Sequence, residues 1–208
     1  IEEIKKINQL GFVDGVTTNP SLIAKTGKDF KQVIKEICEF ISGPVSAEVG
    51  ANDFKGMVEQ GEKLAKIAPN VCIKLPLTTD GLRACFYFSK KNIKTNVTLC
   101  FSSSQAILAA KAGATFVSPF VGRIDDINQN GLDLIEDIAN IYQNYDKFKT
   151  EILVASIRNP YHITQSAIIG ADVATIPAKV FDSLVSHHLT DKGLEIFNND
   201  WKNSGQKI

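Results

Sequence analysis

Two hydrophobic periods alternate along the chain: stretches with apolar residues every three or four positions give way to short runs with a period of two. Ile1, Ile4, Ile7 and Leu10 fall at helical spacing and Gly11 stops them, so the pattern predicts a helix over 1–10. A strand over 12–18 follows, leading into a loop at Asn19, Pro20 and Ser21. Phe30, Val33, Ile34, Ile37 and Ile41 line one side of a helix over 29–41 that Gly43 and Pro44 end. The theme then repeats with strand 45–49 and a helix opened by Asn52 and Asp53, and again with strand 71–75 and a helix over 80–91 capped by Thr78 or Thr79. Strand 95–100 precedes a helix over 103–112, capped by Ser102 and closed by Gly113. Strand 115–120 leads through a loop at 121–123 to a helix over 131–145. Strand 151–156 leads to a helix opened by Asn159 and Pro160 and closed by Gly170. Strand 172–176, a helix from Pro177 to near His187, and a last helix over 191–203 with Leu194, Phe197 and Trp201 on one stripe finish the chain.

Seven strands separated by helices predict a parallel sheet covered by helices, because parallel neighbours need crossovers. A doubly wound open sheet would satisfy this, but the chain has no glycine-rich dinucleotide turn. The opening helix with no strand before it fits an α/β (β/α)8 TIM barrel whose first strand precedes residue 1. The expected organisation is one domain over 1–208, including the last helix.

Composition narrows the partners. At 208 residues and 44% hydrophobic, the chain can bury a sizeable core. Its 23 basic and 23 acidic side chains cancel, so no global field draws it to nucleic acid or to an anionic membrane. An anionic ligand must then be held by a few local groups. Cys38, Cys72, Cys85 and Cys100 lie inside apolar patterns without a CxxC pair, which predicts reduced thiols and a cytoplasmic protein. No apolar run is long enough to span a bilayer, and no signal peptide opens the sequence.

In a barrel of this kind, functional side chains gather at the C-terminal ends of the strands, and here those ends are polar. They carry Thr17, Thr18 and Asn19, then Glu48, Lys74, Asn96 and Thr98, then Ser118, Arg123, Ser156 and Arg158. Strand parity pairs Glu48 with Ser46, Lys74 with Cys72, and Thr98 with Asn96, so one member of each pair can look into the barrel near its top. Such a group could be an internal ion pair with satisfied hydroxyls. It also suits proton transfer around a nucleophilic amine, which must be neutral to attack a carbonyl. Ile73, Leu75 and Val97 are the expected apolar neighbours of Lys74. Glu48 is expected one water away, because a carboxylate in direct contact would hold the amine charged. Ser156 and Arg158 stand just ahead of a helix start, and Arg123 follows the neighbouring strand; together they predict a phosphate site. His162, His187 and His188 lack metal-ligand spacing, and the adjacent pair is expected to point apart on a helix. Phe86, Tyr87 and Phe88 read as helix packing, and Trp201 as core or interface.

Six segments carry a resemblance: Gly15-Val16-Thr17-Thr18-Asn19-Pro20-Ser21, Ser46-Ala47-Glu48-Val49, Ile73-Lys74-Leu75-Pro76, Asn96-Val97-Thr98-Leu99, Ser118-Pro119-Phe120-Val121-Gly122-Arg123-Ile124-Asp125 and Ala155-Ser156-Ile157-Arg158-Asn159. In this order they resemble the transaldolase family, in the small-subunit branch that includes the fructose-6-phosphate aldolases. The resemblance implies a class I aldolase-like barrel without metal or organic cofactor, acting on phosphorylated ketoses and aldoses. It matches Lys74 to a Schiff-base lysine, Glu48 to a glutamate polarising a catalytic water, and Thr98 to the threonine sharing that water. Asn19 and Asn96 match asparagines that bind substrate hydroxyls; Arg123, Ser156 and Arg158 match the phosphate group, with Arg158 expected to carry more of the charge. A catalytic aspartate is implied in a strand ahead of residue 1, and Asp14 is not its substitute. Phe120 and Glu48 stand where the aldolases typically have tyrosine and glutamine, which favours transfer over cleavage because phenylalanine excludes a hydrolytic water. A noncatalytic sugar-phosphate binding protein is the remaining alternative. The family resemblance also implies a ring-based homo-oligomer, often a pentamer or decamer.

Overall fold

A computed structural model describes residues 1–24 and 27–206 of the chain. Helices and strands alternate: α1 Glu2–Asn8, β1 Val16–Thr17, α2 Pro20–Ala24, α3 Phe30–Phe40, β2 Val45–Glu48, α4 Phe54–Ala65, β3 Val71–Pro76, α5 Thr79–Lys90, β4 Thr95–Cys100 and α6 Ser103–Lys111. The second half continues with β5 Phe116–Pro119, α7 Val121–Asp125, α8 Gly131–Gln143, β6 Glu151–Val154, α9 Pro160–Ile169, β7 Val173–Ala174, α10 Ala178–Val185 and α11 His188–Ser204. Among the described residues, the strands are ordered β1 to β7 in one parallel, curled sheet, one strand short of the (β/α)8 count.

The strand-to-helix punctuation is chemical. Asp53, Thr78, Ser102 and Asn159 each accept a hydrogen bond from a backbone N–H of the helix they open, which satisfies a donor that has no partner inside the helix. Gly113 and Gly170 take positive φ after α6 and α9. Gly43 has a separate role: an added Cβ would sit 1.6 Å from the carbonyl oxygen of Asp14, so the approach to β2 passes the approach to β1 only without a side chain.

Parity divides each strand between two cores. Val45, Ala47, Ile73, Leu75, Val97, Val117 and Ile152 face outward and join Ile34, Ile37, Met57, Phe88, Ile135 and Ile138 of the surrounding helices. Each such large side chain contributes about 1.5–3 kcal/mol by leaving water. Inside the curl, Cys72, Phe116 and Leu153 form a smaller cluster with Val173 against it. This apolar floor lies below the polar side chains of the same strands.

Several predicted elements are corrected. The strand over 12–18 shrinks to Val16–Thr17, and the loop at 19–21 is occupied by the start of α2. The loop at 121–123 belongs to α7, which Phe120 precedes. β6 ends at Val154 because Ser156 has φ +60, a left-handed conformation that strand backbone does not accept. His187 and His188 do not point apart: His187 is the non-helical cap of α11, and the two rings stack with centroids 5.0 Å apart. Phe86 faces solvent while Phe88 is fully buried, so only part of the Phe86–Tyr87–Phe88 run packs in the core. Leu194, Phe197 and Trp201 are exposed on this chain.

All four cysteines are free. Burial pushes the thiols of Cys72 and Cys100 from an ordinary 9.0 up to about 12 and that of Cys85 to about 11, with Cys38 raised less. A raised folded-state value stabilises the fold below the unfolded value, so this contribution is whole below about pH 9 and disappears as the pH climbs toward 12. Alkylation at about pH 8 followed by mass analysis is expected to modify Cys38 first and the other three only after unfolding, since the thiolate is the nucleophile. Equal labelling of all four in the folded protein would contradict this packing.

Candidate active site

The C-terminal half of the curled sheet builds a polar layer above the apolar floor. Glu48 pairs in register with Lys74, and Lys74 with Asn96, so β2, β3 and β4 bring these side chains to one face. Lys74 is only 5% exposed, an unusual position for an amine. Its Nζ lies 2.9 Å from Glu48 Oε2 and donates to the Thr18 carbonyl oxygen at 3.3 Å. The contact with Glu48 is therefore direct, where the sequence places a water between the two. The register explains it: adjacent strands set Cα partners side by side, and a four-carbon stem reaches the carboxylate without an intermediary. The expected apolar neighbours are corrected as well. Ile73, Leu75 and Val97 belong to the outer core, on the opposite face from Lys74, as a period of two requires.

On the neighbouring strand β4, the Thr98 hydroxyl is buried without a hydrogen-bond partner among the described residues. Such an atom is costly in an interior unless another molecule completes it. Thr98 precedes Leu99, whose φ is +62, and the β4–β5 register shifts between Val97 and Cys100. The bulge turns the end of β4 at the point where its side chains meet the polar layer. Asn96 is fully buried and donates to Ser46 Oγ at 3.1 Å while accepting from Ser118 Oγ at 2.7 Å, so three strands are tied by one amide. Thr18 Oγ1 donates to the Ser46 carbonyl oxygen at 2.6 Å and fixes the backbone oxygen that meets Lys74. Asn19 lies next to Thr18, half-buried, with its carbonyl oxygen starting α2.

The second group lies on the adjoining ends of β5 and β6. The N–H groups of Val121 and Gly122 donate to the carbonyl oxygens of Ala155 and Ser156, both at 3.1 Å. A Cβ on Gly122 would fall 2.2 Å from the Ser156 oxygen and 2.6 Å from Arg158 Nε, so this junction closes only around glycine. It sets Arg123 on one side and Ser156 with Arg158 on the other. Both guanidinium groups are exposed: that of Arg123 lies 5.2 Å from the centroid of the Phe120 ring, and that of Arg158 donates to Asp126 Oδ2 at 2.7 Å. Phe120 meets Phe101 edge to face and forms a half-buried apolar wall. Lys74, Thr98 and Asn96 are buried on neighbouring strands with the partly exposed Glu48 against the Lys74 amine, while Arg123, Ser156 and Arg158 lie at the rim.

Sequence reasoning passed over Gly122, Asp125 and Asp126, and weighed His162 only as a metal ligand. His162 is buried, with Nε2 3.0 Å from Asp125 Oδ2. The signal available was that His162 stands in the first turn of a helix beginning beside the expected phosphate residues.

A curled parallel sheet surrounded by helices, TIM-barrel-like in its alternation, carries a buried lysine and a contacting carboxylate at the C-terminal ends of its strands. The whole chain, residues 1–208, matches the family described as Transaldolase/Fructose-6-phosphate aldolase, and the protein belongs to it. It is 59% identical over 207 residues to a probable transaldolase of Bartonella bacilliformis, covering 100% of this chain and 95% of that one. It is 60% identical over 208 residues to one from Paracoccus denitrificans, with coverages of 100% and 95%, and 57% identical to one from Clostridioides difficile, with coverages of 100% and 96%. Among solved structures, an inosine 5'-monophosphate dehydrogenase from Legionella pneumophila superposes with a TM-score of 0.54 at 14% identity, over 73% of this chain and 49% of that one. That likeness concerns the fold alone.

Proposed function

We propose that the protein is a transaldolase that moves a dihydroxyacetone unit from a ketose phosphate, fructose 6-phosphate or sedoheptulose 7-phosphate, to an aldose phosphate through a Schiff base on Lys74. The observation that carries this reading is a 5% exposed amine 2.9 Å from Glu48, with the buried Thr98 hydroxyl, unpartnered among the described residues, on the adjacent strand β4. Glu48 takes a proton from the Lys74 ammonium, and the neutral nitrogen attacks the C2 carbonyl. A proton passes from the attacking nitrogen to the new alkoxide, and the same carboxyl then gives its proton to the resulting carbinolamine hydroxyl, which leaves as water and gives the iminium. Thr98 Oγ1 holds that departing oxygen. The iminium accepts the electron pair of the C3–C4 bond as the C4 hydroxyl loses its proton to a general base. Glyceraldehyde 3-phosphate departs, the three-carbon enamine adds to erythrose 4-phosphate, and hydrolysis frees sedoheptulose 7-phosphate. Asn19 and Asn96 orient the sugar hydroxyls, and Arg123, Ser156 and Arg158 take the phosphate.

Phe120 favours transfer over simple cleavage, because its ring keeps water from the enamine. With fructose 6-phosphate alone, little free dihydroxyacetone is expected; adding erythrose 4-phosphate should start steady formation of sedoheptulose 7-phosphate. Release of dihydroxyacetone at the same rate without acceptor would instead make the protein an aldolase.

The protein acts as a homo-oligomer in this reading. No residue of α11 is buried within the chain, and Leu194, Phe197 and Trp201, at helical spacing, are all exposed, an apolar stripe that contact with a second copy would cover. Light scattering is expected to give a multiple of 22.7 kDa, with five or ten copies, and a monomer would contradict it. The reduced thiols support a cytoplasmic location. Among the described residues, no helix is long and apolar enough to cross a membrane.

A further inference from the structure

The phosphate rim is braced by side chains that none of the steps above uses. His162 lies in the first turn of α9, its backbone N–H donating to the Asn159 cap at 3.0 Å, and its ring is turned inward rather than to solvent. Nδ1 accepts the backbone N–H of Arg158 at 3.4 Å. Nε2 faces Asp125 Oδ2 at 3.0 Å, and the other Asp125 oxygen accepts the backbone N–H of Gly131 at 2.9 Å. One imidazole thus joins the backbone of Arg158 to the last residue of α7 and, through it, to the first residue of α8. The bonds fix the tautomer: Nδ1 must be bare to accept from Arg158, so the proton sits on Nε2 and is donated to Asp125.

The location gives this chain of bonds its consequence. Arg158 follows Ser156, whose φ is +60, and such a conformation persists only where its surroundings hold it. Gly122 packs against the Arg158 side chain, and α7 donates two backbone hydrogen bonds to the same loop. The long Arg158 side chain is exposed and its Asp126 partner is a surface carboxylate, so the guanidinium itself is weakly tethered. The rigid part of the rim is therefore the backbone, and the one side chain bonded to the Arg158 N–H is buried.

We propose that His162, held by Asp125, is a positioning residue for phosphate recognition: it fixes the Arg158 backbone so that Ser156 and Arg158 present their donors together. The inference rests on the transaldolase reading of the rim and adds to it a residue that touches no substrate. His162→Leu fills a similar volume without either hydrogen bond, while His162→Gln retains an amide donor for Asp125.

The test is borohydride trapping of the full-length protein, comparing fructose 6-phosphate with dihydroxyacetone, a ketone that has no phosphate. His162→Leu is expected to raise the half-saturating concentration of fructose 6-phosphate about tenfold, and His162→Gln less, as a lost positioning contact would. For dihydroxyacetone the value should move less than about twofold, since the Lys74 group lies on other strands. An equal rise for both ketones, or no rise for either, would overturn the positioning role. If His162→Leu does not fold, the same contrast in His162→Gln decides. Wild-type protein that traps neither ketone would overturn the Schiff-base reading itself, a different outcome from trapping that is indifferent to His162.

Discussion

Replacing Lys74 with methionine is expected to abolish turnover, with a loss on the order of 10⁴-fold or more, because a thioether cannot form the iminium. Methionine nearly matches the lysine stem in length, so the outer core of Ile73 and Leu75 stays packed. What changes is charge: Glu48 loses the cation at 2.9 Å while its own side chain is 19% exposed. That partial exposure keeps the stability cost below the 3–5 kcal/mol of a wholly buried broken pair, at about 1–2 kcal/mol. Glu48→Gln separates the two roles, since an amide keeps the contact but cannot carry the proton. It should lower kcat about 10²- to 10³-fold while adducts still form on Lys74, slowly. Steady-state assays with fructose 6-phosphate and erythrose 4-phosphate measure both. Turnover of Lys74→Met within tenfold of wild type would end the covalent account.

The second large effect is expected at the rim. Arg158→Ala removes a charge-assisted donor worth about 1.5–3 kcal/mol, which corresponds to a rise in KM for fructose 6-phosphate of about 10- to 100-fold. Arg123→Ala should cost less, because that guanidinium already rests over the Phe120 ring. Arg158 must share itself between the phosphate and Asp126, and an exposed ion pair of this kind contributes little, so the dianion should win. Free fructose offers the control: its slow conversion should be indifferent to Arg158. An Arg158→Ala enzyme with unchanged KM, or one impaired equally on fructose and its phosphate, would remove Arg158 from the phosphate site.

The division between what could and could not be read in the chain follows the range of the interactions. Helix boundaries at Asp53, Thr78, Ser102 and Asn159 were legible because a cap acts over three residues. Alternation in β2, β3 and β4 placed Glu48, Lys74 and Asn96 on one face, since parity is local. The same rule, followed strictly, would have kept Ile73, Leu75 and Val97 away from the amine. The direct contact of Glu48 with Lys74 depends on the register between neighbouring strands, which no single segment encodes. The amide of Asn96 is shared between Ser46 and Ser118, residues 50 and 22 positions away, and His162 meets Asp125 across two helices. Short elements were legible in place but not in length: β1 and β7 fall inside the strands read over 12–18 and 172–176 yet have two residues each, and α7 was hidden in what reads as a loop.

The central claim is that the Lys74 amine bonds to a sugar ketone. Incubating the full-length protein with fructose 6-phosphate and borohydride, then mapping the product by peptide mass spectrometry, tests it most directly. The account predicts one reduced adduct, on the peptide that contains Lys74, blocked in Lys74→Met. Unmodified Lys74 after trapping, or an adduct on another lysine that survives this substitution, would contradict it.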